Sequence, residues 1–241
     1  MARKKGDENG REKEDTRMTE HGKTLPFRFM ECALLTLSTG VRAQSIRELR
    51  SALPQTPLSS IYYHFWGRML RPHIAESEFN NDFASWADSG LGDIELAEAL
   101  SAINPVACAD LEEVRSILED ILDARLESGD FMSWKKSDRE FYFIACTKMM
   151  FDTGREVSSL KDFPLAVKTA SRQSFFHHFI DGRRRSPEGK DDFSLWLEQF
   201  GEATEPLRKS LGAIDSYLFS LGELKGQVVS LLEKHLRGRG K

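Results

Sequence analysis

Two pairs of histidine and aspartate are the residues of this sequence whose types best suit chemistry. His64 precedes Asp82 by 18 residues, and His178 precedes Asp192 by 14. Imidazole and carboxylate can work together as a general base and its orienting group, or as ligands of a divalent metal. A metal-assisted hydrolase is therefore one hypothesis, and further ligands near the first pair are available from His73, Glu76 and Glu78.

The same pairs also suit a structural role, which we favour. Asp82 and Asp192 stand directly before apolar helical patterns, where an N-cap carboxylate accepts backbone N–H bonds. His64 lies at the margin of an apolar stripe, from which its ring can hydrogen-bond to a neighbouring element. The sequence contains no familiar metal or nucleophile motif. We predict that each histidine approaches its aspartate or the backbone of its own helix. A separation of more than about 10 Å between histidine and aspartate, well beyond hydrogen-bond reach, would contradict this. We predict neither a metal nor a cofactor.

A ligand site built from the polar and aromatic residues of these segments is a further hypothesis. Aromatic side chains can line a pocket for a planar or sugar-like ligand, with a few polar groups as guides. At helical spacing the same aromatic residues more often form core. The basic triplet at 183–185 lies in a loop whose length differs between the copies. It can bind a phosphate or an acidic partner, or be solvated surface. The candidate ligand-binding residues are His64, Asn81, Asp82, Trp86, His178, Asp192 and Trp196.

The candidates belong to an internal duplication. Residues 27–66 align without a gap on residues 141–180 at a shift of 114, and ten of the forty aligned pairs are identical. The dipeptide Thr39-Gly40 returns as Thr153-Gly154, and residues 81–86 return as 191–196. Two copies are too few for a solenoid. We expect a pseudo-twofold pair, packed as the subunits of a homodimer would be.

The spacing of apolar residues predicts that each copy is helical. Phe27, Met30, Leu34 and Leu37 follow a helical period up to Gly40, where a glycine commonly ends a helix. Further helices are predicted at about 44–53, after a cap at 59 or 60, from 81–82, at 96–100 and at about 110–126. The predicted fold class is all-α, with a duplicated unit of five to six helices.

Composition shifts along the chain predict its organisation. Residues 1–24 form a charged tail that we expect to be disordered, and residues 237–241 form a basic one. Between them lie a helical repeat at 25–128, a linker at 129–140 and a second repeat at 141–236. Because the linker is short, we expect the repeats to share an interface, with Phe131 and Trp134 as its anchors.

Charge and cysteine content limit the function classes. The formal net charge of −4 argues against general nucleic-acid binding, and no apolar run is long enough to cross a bilayer. The three cysteines form no C-x-x-C pair, which favours reduced, buried thiols in a cytoplasmic protein. The oligomeric state is not readable from these features.

Residues 60–66, 81–86 and 96–100 carry a resemblance to a known family. With their sequences SIYYHFW, NDFASW and LAEAL, the chain resembles an uncharacterised bacterial helical family known only as a domain of unknown function. The resemblance implies a bacterial cytoplasmic setting and supplies no catalytic residues. We favour a non-enzymatic binding or regulatory module for a small ligand or a protein partner, with the groove between the two copies as a candidate site. The alternative is the metal-assisted hydrolase.

Overall fold

Two long strands, one from each copy, form the centre of the fold. In the computed structural model, which describes residues 24–71, 79–129 and 131–238, β1 spans Phe27–Ala43 and β2 spans Phe141–Val157. The strands pair in an antiparallel two-stranded sheet. The fold is therefore mixed α/β, and the prediction of an all-α protein is wrong. The first element of each copy is a strand where the periodicity predicted a helix.

The register of this sheet follows the duplication. Phe27 lies opposite Val157, and Ala43 lies opposite Phe141. At the centre Leu34 lies opposite Lys148, its own equivalent at the shift of 114. Each strand therefore meets its copy about a local pseudo-twofold axis, which passes through this central pair.

The helix prediction failed because β1 carries apolar residues on both faces. Phe29 and Cys32 are both buried although they are three residues apart. The buried side of the strand therefore changes from odd-numbered to even-numbered residues between them. Leu35 and Leu37 are apolar but more than half exposed. A strand with one buried and one polar face shows a period of two in its sequence. This strand does not, because its solvent face is apolar and its buried phase shifts.

The repeated Thr-Gly dipeptide marks a β-bulge. Residues 39–41 are skipped in the ladder between Ser38 and Arg42, and Gly40 adopts a positive φ of 76°. The Thr39 hydroxyl donates to the carbonyl of Phe143 at 2.6 Å, across the sheet. Thr153 makes the equivalent bond to the other strand, and Gly154 also has a positive φ. Glycine is needed here for a bulge, whereas we had predicted the end of a helix.

Helices from both copies pack against the sheet. In the first copy they are α1 (Ile46–Ala52), α2 (Leu58–Leu70), α3 (Asp82–Trp86), α4 (Ile94–Ser101) and α5 (Leu111–Glu127). In the second they are α6 (Phe163–Thr169), α7 (Arg172–Phe175), α8 (Gly182–Arg185), α9 (Asp192–Leu197), α10 (Glu205–Gly212) and α11 (Leu221–Gly238). π-helical turns span Ala87–Leu91 and Phe176–Asp181, and 3₁₀ turns span Leu53–Gln55, Phe131–Trp134 and Glu198–Thr204.

Local capping explains which helices were predictable. Ser45 caps α1 by accepting the Glu48 amide, and Asp110 caps α5 by accepting the Glu113 amide. Both helices match the ranges predicted from the sequence, about 44–53 and about 110–126. The expected serine cap of α2 is wrong, because Pro57 holds the N-cap position of that helix.

Helices of each copy pack against the strand of the other copy. α2 of the first copy lies against β2, while α7 and the following π-turn of the second copy lie against β1. The two copies therefore exchange their helix-on-strand contacts and share one hydrophobic core. Each copy needs the strand of the other to cover its apolar helix face.

The segment between the copies does not anchor their interface. Phe131 is 77% exposed and Trp134 is 72% exposed, so the prediction that they are buried anchors is wrong. The Trp134 ring contacts the Arg47 guanidinium instead. At the carboxyl end α11 continues to Gly238, which makes the first two residues of the predicted basic tail helical. Residues 1–23 and 239–241 lie outside the described residues.

The bulge yields a test of the strand assignment. Gly40→Ala places a Cβ at a positive φ and should lower the free energy of unfolding by about 1–2 kcal/mol. Gly226→Ala is the matched control, because this glycine lies in the middle of α11 with open space at its Cβ. It should stabilise the protein by about 0.5–1 kcal/mol. Urea denaturation measures both, and a stabilising Gly40→Ala would contradict the bulge.

Candidate functional site

The two predicted histidine–aspartate pairs are both formed. His64 Nδ1 lies 2.9 Å from Asp82 Oδ2, and His178 Nδ1 lies 2.7 Å from Asp192 Oδ2. The prediction that each pair lies within hydrogen-bond reach is confirmed. Both imidazoles are buried, with 2% and 3% of their surface exposed.

The second nitrogen of each histidine accepts a hydrogen bond from the strand of the other copy. The Ile144 amide donates to His64 Nε2 at 3.1 Å, and the Met30 amide donates to His178 Nε2 at 2.9 Å. Met30 and Ile144 are equivalent positions. Because Nε2 accepts, the proton of each neutral ring must be on Nδ1, which donates it to the aspartate. Neither imidazole keeps a free nitrogen to act as a general base.

An arginine completes each pair. Arg71 Nη2 lies 3.0 Å from Asp82 Oδ2, and Arg185 Nη2 lies 2.8 Å from Asp192 Oδ2. Burial acts to raise the pKa of Asp82, but the hydrogen bond from His64 and the charge of Arg71 outweigh it and hold that pKa below its usual value. The two arginines are related by the same shift of 114. Extending the gapless alignment by five residues would have found them.

The candidate tryptophans also connect the copies. Trp86 Nε1 donates to the carbonyl of Arg139 at 2.6 Å, and Trp196 Nε1 donates to the carbonyl of Leu25 at 2.7 Å. These two carbonyls stand at equivalent positions, each two residues before a strand. Both indole donors are therefore used inside the protein, which leaves none for a ligand.

Asn81 has a capping role rather than a ligand-binding one. Its side chain caps α3 and also donates to the hydroxyl of Tyr217 at 3.2 Å. Its equivalent, Asp191, caps α9. The prediction that Asp82 and Asp192 are the N-caps is wrong by one residue, which frees their carboxylates for the histidines.

The two buried cysteines also form reciprocal hydrogen bonds between the copies. Cys32 Sγ donates to the carbonyl of Gln173 at 3.4 Å, and Cys146 Sγ donates to the carbonyl of Ser59 at 3.5 Å. These acceptors are again equivalent positions. Burial raises the pKa of each thiol to about 11, so both remain protonated at neutral pH.

One group of side chains has the composition of a metal site. Nitrogen and oxygen atoms of His177, His178 and Asp192 lie within 4.8 Å of one another, and His177 Nδ1 has no hydrogen-bond partner among the described residues. A metal on His178 Nδ1 would move the ring proton to Nε2, which already faces the Met30 amide proton. Arg185 also holds the Asp192 carboxylate. These contacts do not suit a metal ion. His73, Glu76 and Glu78 lie outside the described residues.

The second copy contains a buried carboxylate that the first copy lacks. Asp181 is 2% exposed and accepts hydrogen bonds from Lys148, Tyr62, Arg184 and Arg185. Burial acts to raise the pKa of Asp181, but Lys148 and the arginines outweigh it and hold the pKa below its usual value. Sequence comparison missed this cluster because its members differ between the copies.

Steric contacts explain why the first copy has no such carboxylate. The equivalent of Asp181 is Gly67, and a Cβ there would lie 2.8 Å from the ring of Tyr63. In the second copy His177 replaces Tyr63, and its smaller ring leaves room for Asp181. The exchange of tyrosine for histidine therefore accompanies the gain of a buried charge.

The basic triplet lies in α8, not in a loop as the sequence comparison indicated. Arg183 is buried and donates to the carbonyls of Ile214 and Leu211 at 2.8 and 2.7 Å. Arg184 bonds to the buried carboxylate of Asp181, and Arg185 bonds to the partly buried carboxylate of Asp192. Only Arg183 is therefore part of the protein interior, whereas 41% of the Arg184 side chain and 36% of the Arg185 side chain are exposed.

A groove of about 460 Å³ opens between the two copies. Tyr62 and Trp66 of α2 line one wall, and their equivalents Phe176 and Ile180 line the other. The turn at residues 105–110 and the charged side chains of α8 complete it. Among the seven candidate ligand-binding residues, none lines this groove.

Comparison with known proteins places the chain in a family. A family model described as "Family of unknown function (DUF5752)" matches residues 24–233. The chain belongs to this family. It is also similar to a solved structure described as "The structure of OrfY from Thermoproteus tenax", at 29% identity and a TM-score of 0.74. The match covers 88% of this chain and 96% of that chain. No curated protein gives a significant match.

Membership of the DUF5752 family confirms the resemblance in its coarser form. The bacterial setting that the resemblance implied is not tested by the match. In the part of the chain that the structure describes, no helix is long and apolar enough to cross a membrane.

The low pKa of Asp82 predicts a pH-dependent effect of its neutral variant. The pKa lies below the usual value of 3.8 in the folded state, so the carboxylate stabilises the protein above that pH and loses this effect as pH falls through the folded pKa. Asp82→Asn should cost about 1–3 kcal/mol at pH 7, and the difference should shrink below about pH 4. Urea denaturation from pH 7 to 3 measures it. The exposed Asp138→Asn should change little throughout, and an undiminished effect of Asp82→Asn at pH 3 would contradict the assignment.

The hydrogen bonds of His178 predict that no zinc ion binds stoichiometrically beside it. Purified protein titrated with zinc and analysed by mass spectrometry under native conditions should show no stoichiometric ion. His177→Ala removes His177 Nδ1, the nitrogen of this group that has no hydrogen-bond partner among the described residues. This variant should likewise show no stoichiometric zinc. One bound zinc that is lost in His177→Ala would contradict this reading and favour the hydrolase.

Proposed function

We propose that this chain is a non-enzymatic binding module whose small-molecule ligand occupies the groove between the copies. The observation that carries this proposal is the groove itself, which is built from both copies and holds about 460 Å³. Small-molecule sites have volumes of roughly 300–1,000 Å³ and are lined mainly by apolar and aromatic side chains. The groove meets both criteria.

The aromatic wall supports a flat ligand. The rings of Tyr62 and Trp66 stack at 5.1 Å with an angle of 28° between their planes. Both are largely buried, and the Tyr62 hydroxyl is tied to Asp181. Side chains held in this way form a pre-organised surface, which lowers the entropy cost of binding.

The histidine pairs favour the binding module over the hydrolase. A general base must reach a substrate proton through a free nitrogen or oxygen. His64 and His178 use both ring nitrogens within the protein, and each aspartate is shared with an arginine. These residues also lie outside the groove lining. Their chemistry is that of cross-links between the copies.

A neutral fluorescent probe tests the proposal. N-phenyl-1-naphthylamine should bind with a stoichiometry of one per chain. Val106→Trp places a large side chain at the groove, on a turn where Val106 is already 37% exposed. This variant should weaken binding at least fivefold, because it fills space that the probe needs. Fluorescence titration gives the affinity, and circular dichroism checks the fold.

Two control variants separate the groove from other apolar surfaces. Leu165→Trp enlarges an exposed side chain outside the groove and should leave probe affinity unchanged. Leu37→Ser removes an apolar group from the exposed face of the sheet and should also have no effect. If Leu37→Ser abolishes binding while Val106→Trp does not, the probe binds the sheet and the groove proposal fails.

A further inference from the structure

We propose that the ligand of the groove is a flat aromatic molecule carrying a negatively charged group, held beside Arg184. This inference rests on the proposed function and names its ligand class. The flat part is placed by the apolar and aromatic side chains that line the groove, among them Trp66, Phe176 and Ile180. The charged part is placed by the distribution of arginines and aspartates around the groove.

Arg184 has hydrogen-bonding capacity to spare. Its Nη2 donates to Asp181 Oδ1 at 3.2 Å, and 41% of its side chain is exposed. Its Nε and Nη1 have no hydrogen bond to any other described residue. A guanidinium has five N–H donors in a planar fork, which suits a carboxylate, sulfonate or phosphate. Arg184 therefore offers donors to a ligand without leaving its aspartate.

Asp181 does not cancel this charge. The same carboxylate is also bound by Lys148, Arg185 and the Tyr62 hydroxyl. Arg185 is shared with a second carboxylate, that of Asp192. Asp181 thus keeps close cationic partners even when Arg184 turns toward a ligand.

A cationic ligand is disfavoured by the same side chain. The Arg184 guanidinium lies 5.1 Å from the centre of the Tyr62 ring. It therefore occupies an aromatic face that would otherwise attract a ligand cation. Among the described residues, Asp110 and Asp181 are the carboxylates that line the groove, and Asp110 accepts the Glu113 amide as the cap of α5. Its charge is stabilised there by the amino end of that helix.

The charged cluster around Asp181, which borders the groove through Asp181 and Arg184, is not repeated in the first copy. The equivalents of Lys148, Asp181 and Arg184 are Leu34, Gly67 and Leu70. The pseudo-twofold axis therefore does not generate a second charged site. We expect one anionic ligand per chain, although the chain contains two copies of the unit.

Two probes that differ in charge test the inference. The anionic probe is 8-anilino-1-naphthalenesulfonate, and the neutral one is N-phenyl-1-naphthylamine, which has the same rings without the sulfonate. Loss of affinity for both probes in Val106→Trp first establishes that they bind in the groove. Fluorescence and calorimetric titrations then compare the wild type with Arg184→Gln. This variant should weaken the anionic probe about tenfold, as expected for loss of a charge-assisted hydrogen bond, and change the neutral probe by less than about twofold.

Matched variants show whether an affinity change comes from the charge at position 184, from the net charge of the protein or from loss of folding. Arg28→Gln removes the same charge from an exposed position on β1, where the side chain is 70% exposed, and should leave both affinities unchanged. Arg184→Lys keeps the charge and should recover part of the anionic affinity. Thermal denaturation confirms that Arg184→Gln remains folded.

The outcomes distinguish the two proposals. The inference on ligand charge is overturned if Arg184→Gln leaves the affinity for the anionic probe unchanged or lowers the affinity for both probes equally. In that case the proposal that the groove binds a ligand still stands, provided that Val106→Trp lowers both affinities. If neither probe responds to Val106→Trp, the proposed function fails with it. A stoichiometry of two anionic probes per chain in the groove would also overturn the inference.

Discussion

The structure depends on the pairing of two strands that descend from one ancestral strand. Because β1 pairs with β2 and with no other strand among the described residues, each strand keeps an edge without a backbone partner. An amide at such an edge needs an acceptor when helices cover it. The amides of Met30 and Ile144 find theirs in the histidines of the opposite copy. The aspartate and arginine behind each ring then fix its tautomer and position. One requirement of the backbone therefore accounts for three side chains in each copy.

Local signals in the sequence were enough for some of this fold and not for the rest. The helices α1 and α5 were predictable because their caps and stripes lie within a few residues. The strands were not, because their exposed face is apolar and a bulge interrupts the pairing at Gly40. The histidine–aspartate pairs were found by comparing the copies, but the acceptor role of Nε2 depends on a strand of the other copy. No local pattern reports such a long-range contact.

Conservation between the copies marks contacts that hold the two halves together. His64, Trp86 and Cys146 each bond to a backbone group of the opposite copy, as do their equivalents. For this reason the recurring residues were poor candidates for a ligand site. A reciprocal contact requires the same side chain twice, whereas a single binding site does not. The groove is lined by pairs that have diverged, such as Tyr62 with Phe176 and Trp66 with Ile180.

Fusion of the two copies in one chain is what permits that divergence. In a true homodimer every substitution appears on both sides of the axis. Here the first copy keeps Tyr63 against Gly67, where a Cβ would collide with the ring, and the second copy has His177 and Asp181 instead. A buried aspartate is tolerated because Lys148 and Arg185 reach it, and Lys148 stands on the axis opposite Leu34. A lysine at both of these facing positions would place two like charges together at the centre of the sheet, which destabilises cross-strand pairs. The asymmetric groove is therefore accessible to the fused chain and not to its homodimeric counterpart.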